Sequence, residues 1–261
     1  MKLLSLFLVM TTCSLPGLAF ETITFPSQDS LLITADVYMA HKKHAPFILL
    51  YHQAGYSRGE YREIAPVLNR MGFNVMSIDQ RSGDAVNTVV NETARRAREK
   101  NLRDTYLDAL PDLLAGIAYA KSNLALGKLL IWGSSYSASL ALKISGDLPE
   151  QLDGVLAFSP GEYFERLGES SDFIKKSAIN INIPVFITSA AAEKERWWTI
   201  YEIIPAKNKT YFLPKTPGIH GSSALWSSTN EHEAYWTAVK KFLSQFLEES
   251  LPDAPQNVRP E

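Results

Sequence analysis

Cysteine is almost missing from this chain: Cys13 is the only one in 261 residues. It lies in an N-terminal stretch with its own composition, so the rest of the chain can form no disulfide and offers neither a thiol nucleophile nor a thiolate metal ligand. Charge of one sign is also lacking. Twenty-six basic against twenty-eight acidic side chains leave a formal net charge of −2, which gives nucleic acid or another polyanion nothing to favour. No apolar run is long enough to cross a bilayer as a helix. Internal repeats, low-complexity tracts, a Walker loop, a dinucleotide fingerprint and a metal-binding histidine pair are all missing, so no cofactor and no metal is implied. The chain has 46% hydrophobic residues, enough to bury a full core, and its length suits one domain.

The N-terminus reads as a secretory signal peptide. Lys2 precedes the apolar run "LLSLFLVM", and "PGLA" supplies small residues at Gly17 and Ala19. Cleavage is expected after Ala19, and the mature protein is expected to be secreted or periplasmic without stable membrane insertion. Met10, Thr11 and Thr12 make a poor small-residue approach to Cys13, which argues against lipidation there. Residues 251–261, rich in proline and polar side chains, are expected to be disordered.

Between these ends, residues 20–250 read as a single domain. "ETITF" and "LLITADVYM" alternate and are joined by "PSQDS", which predicts an antiparallel hairpin. Apolar strands then alternate with helical segments. The strands are expected at 46–52, 73–79, 128–132, 154–159, 184–189 and 210–213, and a last helix at about 231–249. Such alternation implies an α/β fold, a mostly parallel sheet covered by helices on both faces. Residues 82–104 form a long insertion with no clear pattern, and its basic "RRAREK" reads as a solvated helix face.

Two serines compete for attention. Gly55, Ser57 and Gly59 give a literal G-x-S-x-G, whereas Gly133, Ser135 and Ser137 give only G-x-S-x-S. Context reverses that ranking. A nucleophile presented on a sharp turn must follow a strand directly and lead directly into a helix. "KLLIW" runs straight into Gly133, and "ASLALKI" opens a helix straight after Ser135. Ser57 is several residues past its strand and falls in a loop. Ser135 is therefore the candidate nucleophile.

These residues resemble the α/β-hydrolase family, and the likeness extends over most of the chain. "HQAG" (52–55) is similar to the family's H-G-x-x loop, and "NVMSIDQRSGD" to its strand–Asp–x–Arg–x–Gly turn, in which Asp79 and Arg81 would be structural. Among subfamilies the chain looks most like the dienelactone-hydrolase-like enzymes, with serine where true dienelactone hydrolases carry cysteine. The resemblance implies an α/β-hydrolase fold with an N-terminal antiparallel hairpin. It implies an oxyanion hole built from the backbone N–H groups of Ala54 (with Gln53 as second choice) and Tyr136. It also implies the chain order serine, acid, histidine.

Of five histidines, His41 and His44 lie in the charged "HKKH" and read as solvated, His232 opens the last helix, and His52 belongs to the oxyanion loop. His220, in the loop "TPGIHGSSALW", is the expected base. Aligning "IPVFITS" on the family's acid-bearing strand puts the acid at Glu193, with Glu195 and Glu162 as alternatives. The interval between the strands ending near Ser159 and beginning near Pro184 is too short for a cap domain, so the site should be open. Tyr56, Tyr163, Trp197 and Trp198 are candidate substrate-binding residues, with Tyr136 and Trp226 nearby. The expected function is hydrolysis of a small-molecule carboxylic ester. A peptidase or amidase of the same fold stays open, as does a non-catalytic binding protein, which the departures Gln53, Ser137 and Glu193 for aspartate would suit.

Overall fold

Burial divides the strands of this chain into two kinds. The computed structural model describes residues 20–247; the expected signal peptide and C-terminal tail lie outside the described residues. β1 (Glu21–Pro26) is largely exposed and pairs antiparallel with β2 (Leu32–Tyr38), from Glu21 opposite Val37 to Pro26 opposite Leu32. β3 (Phe47–Tyr51) and β4 (Asn74–Ile78) are buried at every position. Continuous burial is what a strand covered on both faces requires, and it explains their unbroken apolar runs.

Between β4 and the next strand of the main sheet lie β5 (Ala85–Val86) and β6 (Val89–Val90), a small hairpin, then α2 (Glu92–Glu99) and α3 (Leu110–Asn123). The preceding helix, α1 (Ile64–Met71), links β3 to β4. Residues 82–104 thus hold a hairpin and a helix. Arg95 of α2 is solvated, pairing with Glu92 and Glu99, whereas Arg96 ties the helix to β2 by donating to Thr34 Oγ1 at 2.6 Å. α3 begins later than its apolar pattern, because Pro111 favours the first turn of a helix over its interior.

β7 (Leu129–Ser134), α4 (Tyr136–Asp147), β8 (Gly154–Phe158), α5 (Phe173–Ala178), β9 (Val185–Thr188), α6 (Lys194–Ile203), β10 (Lys209–Phe212) and α7 (His232–Leu243) complete the domain. The eight-stranded sheet runs β1-β2-β4-β3-β7-β8-β9-β10, and every pairing from β4 to β10 is parallel. Successive residues of β3 enter opposite layers: Phe47, Leu49 and Tyr51 pack with α3 and α4, while Ile48 and Leu50 pack with α1 and α7. That double cover confirms the expected α/β architecture and is the main source of stability, at about 1.5–3 kcal/mol per large side chain buried. No helix among the described residues is long and apolar enough to cross a membrane.

The topology fixes where a site can form. From β3 the chain moves outward to β4, then returns to place β7 on the other side of β3. The loops after β3 and β7 therefore diverge, leaving a crevice at the carboxyl ends of the strands. Both candidate serines lie on these two loops. Residues 160–183 contain a short 3₁₀ turn (Glu165–Leu167) and the six-residue α5, with no cap domain.

Candidate active site

Ser135 occupies the turn between β7 and α4 with φ 60° and ψ −122°, a left-handed conformation that costs a non-glycine residue about 1–3 kcal/mol. Its neighbours hold it there. The Ser135 N–H donates to Phe158 O at 2.7 Å. Gly133 lets helix and strand approach closely, since a Cβ at that position would lie 2.2 Å from Ser137 O. From Leu129 to Leu142 every residue is buried except Ser135. Its hydroxyl makes no hydrogen bond to another described residue, so the turn presents a free oxygen at the surface of a packed scaffold.

Ser137 does more than its small size suggested. Its hydroxyl lies 2.7 Å from Tyr51 O, 2.8 Å from His52 O and 2.8 Å from Ser134 O, and accepts from the Ser134 N–H. It thereby joins the end of β3 to the end of β7, a contact glycine could not supply.

Glu193 and His220 meet. His220 Nδ1–H donates to Glu193 Oε1 at 2.6 Å, which leaves Nε2 with its lone pair. Burial pushes the Glu193 carboxyl up, but hydrogen bonds from His220 and Ser159 outweigh it and hold the group below its ordinary value. Ser159, directly after β8 and also at positive φ (57°), donates to Glu193 Oε2 at 2.8 Å and accepts from the Gly221 N–H at 2.9 Å. One hydroxyl thus binds the acid to the histidine loop. No hydrogen bond joins His220 to Ser135 among the described residues.

The alternative acids are placed elsewhere. Glu162 accepts the Ile174 and Lys175 N–H groups at 2.9 and 3.1 Å and caps α5. Glu195 is exposed in the first turn of α6. His52 is fully buried, with Nδ1 on Gln53 O and Nε2 accepting the Gln80 N–H. Burial lowers its pKa to about 4, so it is a neutral structural link. Asp79 accepts from Arg58 and from the Glu92 N–H, and Arg81 is clamped between Asp112 and Asp29. His41 and His44 are exposed.

The two oxyanion candidates, Ala54 and Tyr136, carry N–H groups that donate to no other described residue. Gln53 is different: its N–H donates to Glu60 Oε2 at 2.8 Å and is committed. Glu60, Ser134 and Ser159, which no sequence motif marks as parts of the site, are linked to it by hydrogen bonds.

The aromatic residues separate. Tyr163 donates to Ser159 O at 2.7 Å and lines a cleft of about 250 Å³ with Ser82, Thr105, Tyr106 and Arg166. Tyr106 stacks on Tyr136 at 4.6 Å, which brings this cleft to the residue following Ser135. Tyr56, in the loop after β3, stacks on Trp226 at 6.1 Å. Of the two tryptophans expected to bind substrate, Trp197 is instead a core residue, and Trp198 is half-buried on the same helix. Trp197 is fully buried, its Nε1–H donating to Ser189 Oγ, because it shares the inward face of α6 with Ile200. Trp198 packs on Tyr201 and Tyr211, with the Lys194 ammonium over its ring.

No protein-family model matches the chain, and no curated protein matches it in sequence. Solved structures do match in shape. A dienelactone hydrolase from Anabaena variabilis superposes with a TM-score of 0.67 at 14% identity, over 88% of this chain and 98% of that one. Est1E from Butyrivibrio proteoclasticus, in a structure with ferulic acid bound, gives 0.68 at 13% identity, over 87% and 100%. The Pyrococcus furiosus esterase Pf2001 gives 0.66 at 16% identity, over 88% and 92%. With its parallel sheet, N-terminal hairpin and serine turn after β7, the chain has the α/β-hydrolase fold, similar to that of dienelactone hydrolase and these esterases.

Proposed function

We propose that the protein is a serine hydrolase that cleaves small carboxylic esters through an acyl-enzyme on Ser135. The observation that carries this reading is the 2.6 Å contact between Glu193 and His220, residues from separate loops that converge at the carboxyl edge of the sheet where Ser135 is presented. In this reading Ser135 Oγ attacks the carbonyl carbon while His220 Nε2 takes its proton. Glu193 holds the imidazole in that tautomer and stabilises the imidazolium. The N–H groups of Ala54 and Tyr136 receive the oxyanion without reorganising. Collapse of the tetrahedral intermediate breaks the ester C–O bond, and the imidazolium gives its proton to the leaving alkoxide. Water, deprotonated by His220, then releases the acid and restores Ser135.

The small cleft beside Tyr136 and the lack of a cap domain favour short acyl or single-ring aryl esters, turned over in solution without a lipid interface. The N-terminal pattern supports an exported enzyme, which sequencing the N-terminus of the mature protein would test: Phe20 is the expected first residue. The central test is a screen of purified protein against p-nitrophenyl esters of graded chain length, with matched p-nitroanilides. Ester turnover with a fluorophosphonate adduct on Ser135 is expected. Preferential cleavage of anilides would move the reading to an amidase, and neither turnover nor adduct would overturn it in favour of a binding protein.

A further inference from the structure

Glu60 has no part in the reaction above, yet it touches three of the segments that carry it. It sits in the 3₁₀ turn Arg58–Tyr61 and is fully buried. Its Oε2 accepts the Gln53 N–H at 2.8 Å, and its Oε1 accepts the Ser134 hydroxyl at 2.7 Å. Ser134 Oγ in turn accepts the Ser222 N–H at 2.9 Å. The partners are the residue before Ala54, the residue before Ser135 and the second residue after His220. We propose that Glu60 is a positioning residue that holds the oxyanion donor, the nucleophile and the base in register, an inference that rests on the serine-hydrolase reading.

Two arguments support it. Burying a carboxyl group away from water is costly unless its oxygens are satisfied, so an acid at this depth needs partners that justify it. Here each oxygen has one, and both belong to loops whose spacing a hydrolase must fix within a fraction of an ångström. Second, the carboxylate decides which N–H is free. By taking that of Gln53, it leaves the N–H of Ala54 as the loop's donor. An aliphatic side chain of the same length would fill the space but leave the Gln53 N–H and the Ser134 hydroxyl without their present acceptor.

The test compares Glu60→Leu, Glu60→Gln and Ser134→Ala, with active sites counted by end-point fluorophosphonate labelling of Ser135. A wild-type protein with neither ester turnover nor label would overturn the hydrolase reading itself. Given an active wild type, Glu60→Leu should lower kcat per labelled site roughly a hundred- to a thousand-fold, the scale of a lost oxyanion donor, with KM within a few-fold. Glu60→Gln keeps an acceptor for Gln53 and offers an N–H to Ser134 Oγ, so it should stay within about tenfold of wild type. If Glu60→Leu does not fold, Ser134→Ala decides, with a fall in kcat of roughly tenfold expected for one lost link. A Leu variant with lowered Tm but unchanged kcat per labelled site, or an unchanged Ser134→Ala where Leu fails to fold, overturns the positioning role and leaves the hydrolase reading intact.

Discussion

The two G-x-S segments of this molecule use the same residue types for opposite ends. Ser57 begins a 3₁₀ turn with φ −137°; its hydroxyl accepts the Gly59 N–H at 3.1 Å and donates to Val89 O at 2.7 Å, and the residue is fully buried. Ser135 has φ 60°, is partly exposed, and its hydroxyl is unpaired among the described residues. The glycines differ as well. A Cβ on Gly59 would meet Val86 O at 2.4 Å, so that glycine serves the packing of the β5–β6 hairpin, whereas Gly133 serves the approach of α4 to β7. A serine becomes available for chemistry when the backbone, not its own hydroxyl, makes the turn. At Ser57 the hydroxyl is consumed in building the loop.

The sharpest way to break this contrast is to delete each hydroxyl. Ser135→Ala should abolish fluorophosphonate labelling and lower kcat by several orders of magnitude, roughly a million-fold where related triads set the scale. Ser57→Ala should retain the label and a near wild-type kcat. A mapped adduct on Ser57 would reverse the assignment.

Next in size is the acid. Glu193→Gln keeps the shape but no longer fixes the His220 tautomer or stabilises the imidazolium, and should cost roughly ten-thousand-fold in kcat. Glu195→Gln and Glu162→Gln should each remain within about tenfold, since neither contacts His220. A crippled Glu162→Gln with a native Tm would mean that the acid follows β8 instead of β9.

Much of this was legible in the sequence because periodicity reports burial. Apolar runs such as "FILLY" and "LLIW" locate the central strands, and a strand running straight through Gly133-x-Ser135 into a helix singles out one serine. The inward face of α6 was legible too, since Trp197 and Ile200 have helical spacing and are the buried residues of that helix. Glu60 and Ser159 were not legible. Ser134 lies 74 residues from Glu60, and Ser159 reaches Glu193 across 34, so no local pattern marks them. The β5–β6 turn escaped for a different reason. Asn87 and Thr88 both adopt positive φ, and threonine is a poor advertisement for that conformation.

A smaller effect concerns stability at the first serine. Ser57→Ala removes the acceptor of the Gly59 N–H and the donor to Val89 O inside a buried loop. That should lower the unfolding free energy by about 1–3 kcal/mol, measured by urea denaturation with an unchanged m-value. The comparable loss for Ser135→Ala should be near zero or slightly negative, because its hydroxyl holds nothing.

The smallest effect separates the two segments by their ionisation. The loop carrying Ser57 also carries Glu60, whose pKa burial raises from 4.5 to about 7 against the lowering effects of Ser134, the Gln53 N–H and the charge of His220. A carboxyl group with a raised folded pKa contributes stability that is fully present below about pH 4.5. That contribution is lost as pH rises to about 7, because the unfolded chain releases its proton first. Asp79, raised to about 6, acts in the same direction, while His52, lowered to about 4, removes stability as pH falls from about 6.5 to 4. Those two groups persist in Glu60→Gln and cancel when the variant is compared with wild type. The wild-type Tm should therefore drop between pH 4.5 and 7.5 by several degrees more than that of Glu60→Gln, as read by scanning calorimetry at matched ionic strength. Parallel Tm curves would show that Glu60 does not titrate in this window. Burial would then not raise the Glu60 pKa above that of the unfolded chain, because the partners on Gln53 and Ser134 offset it.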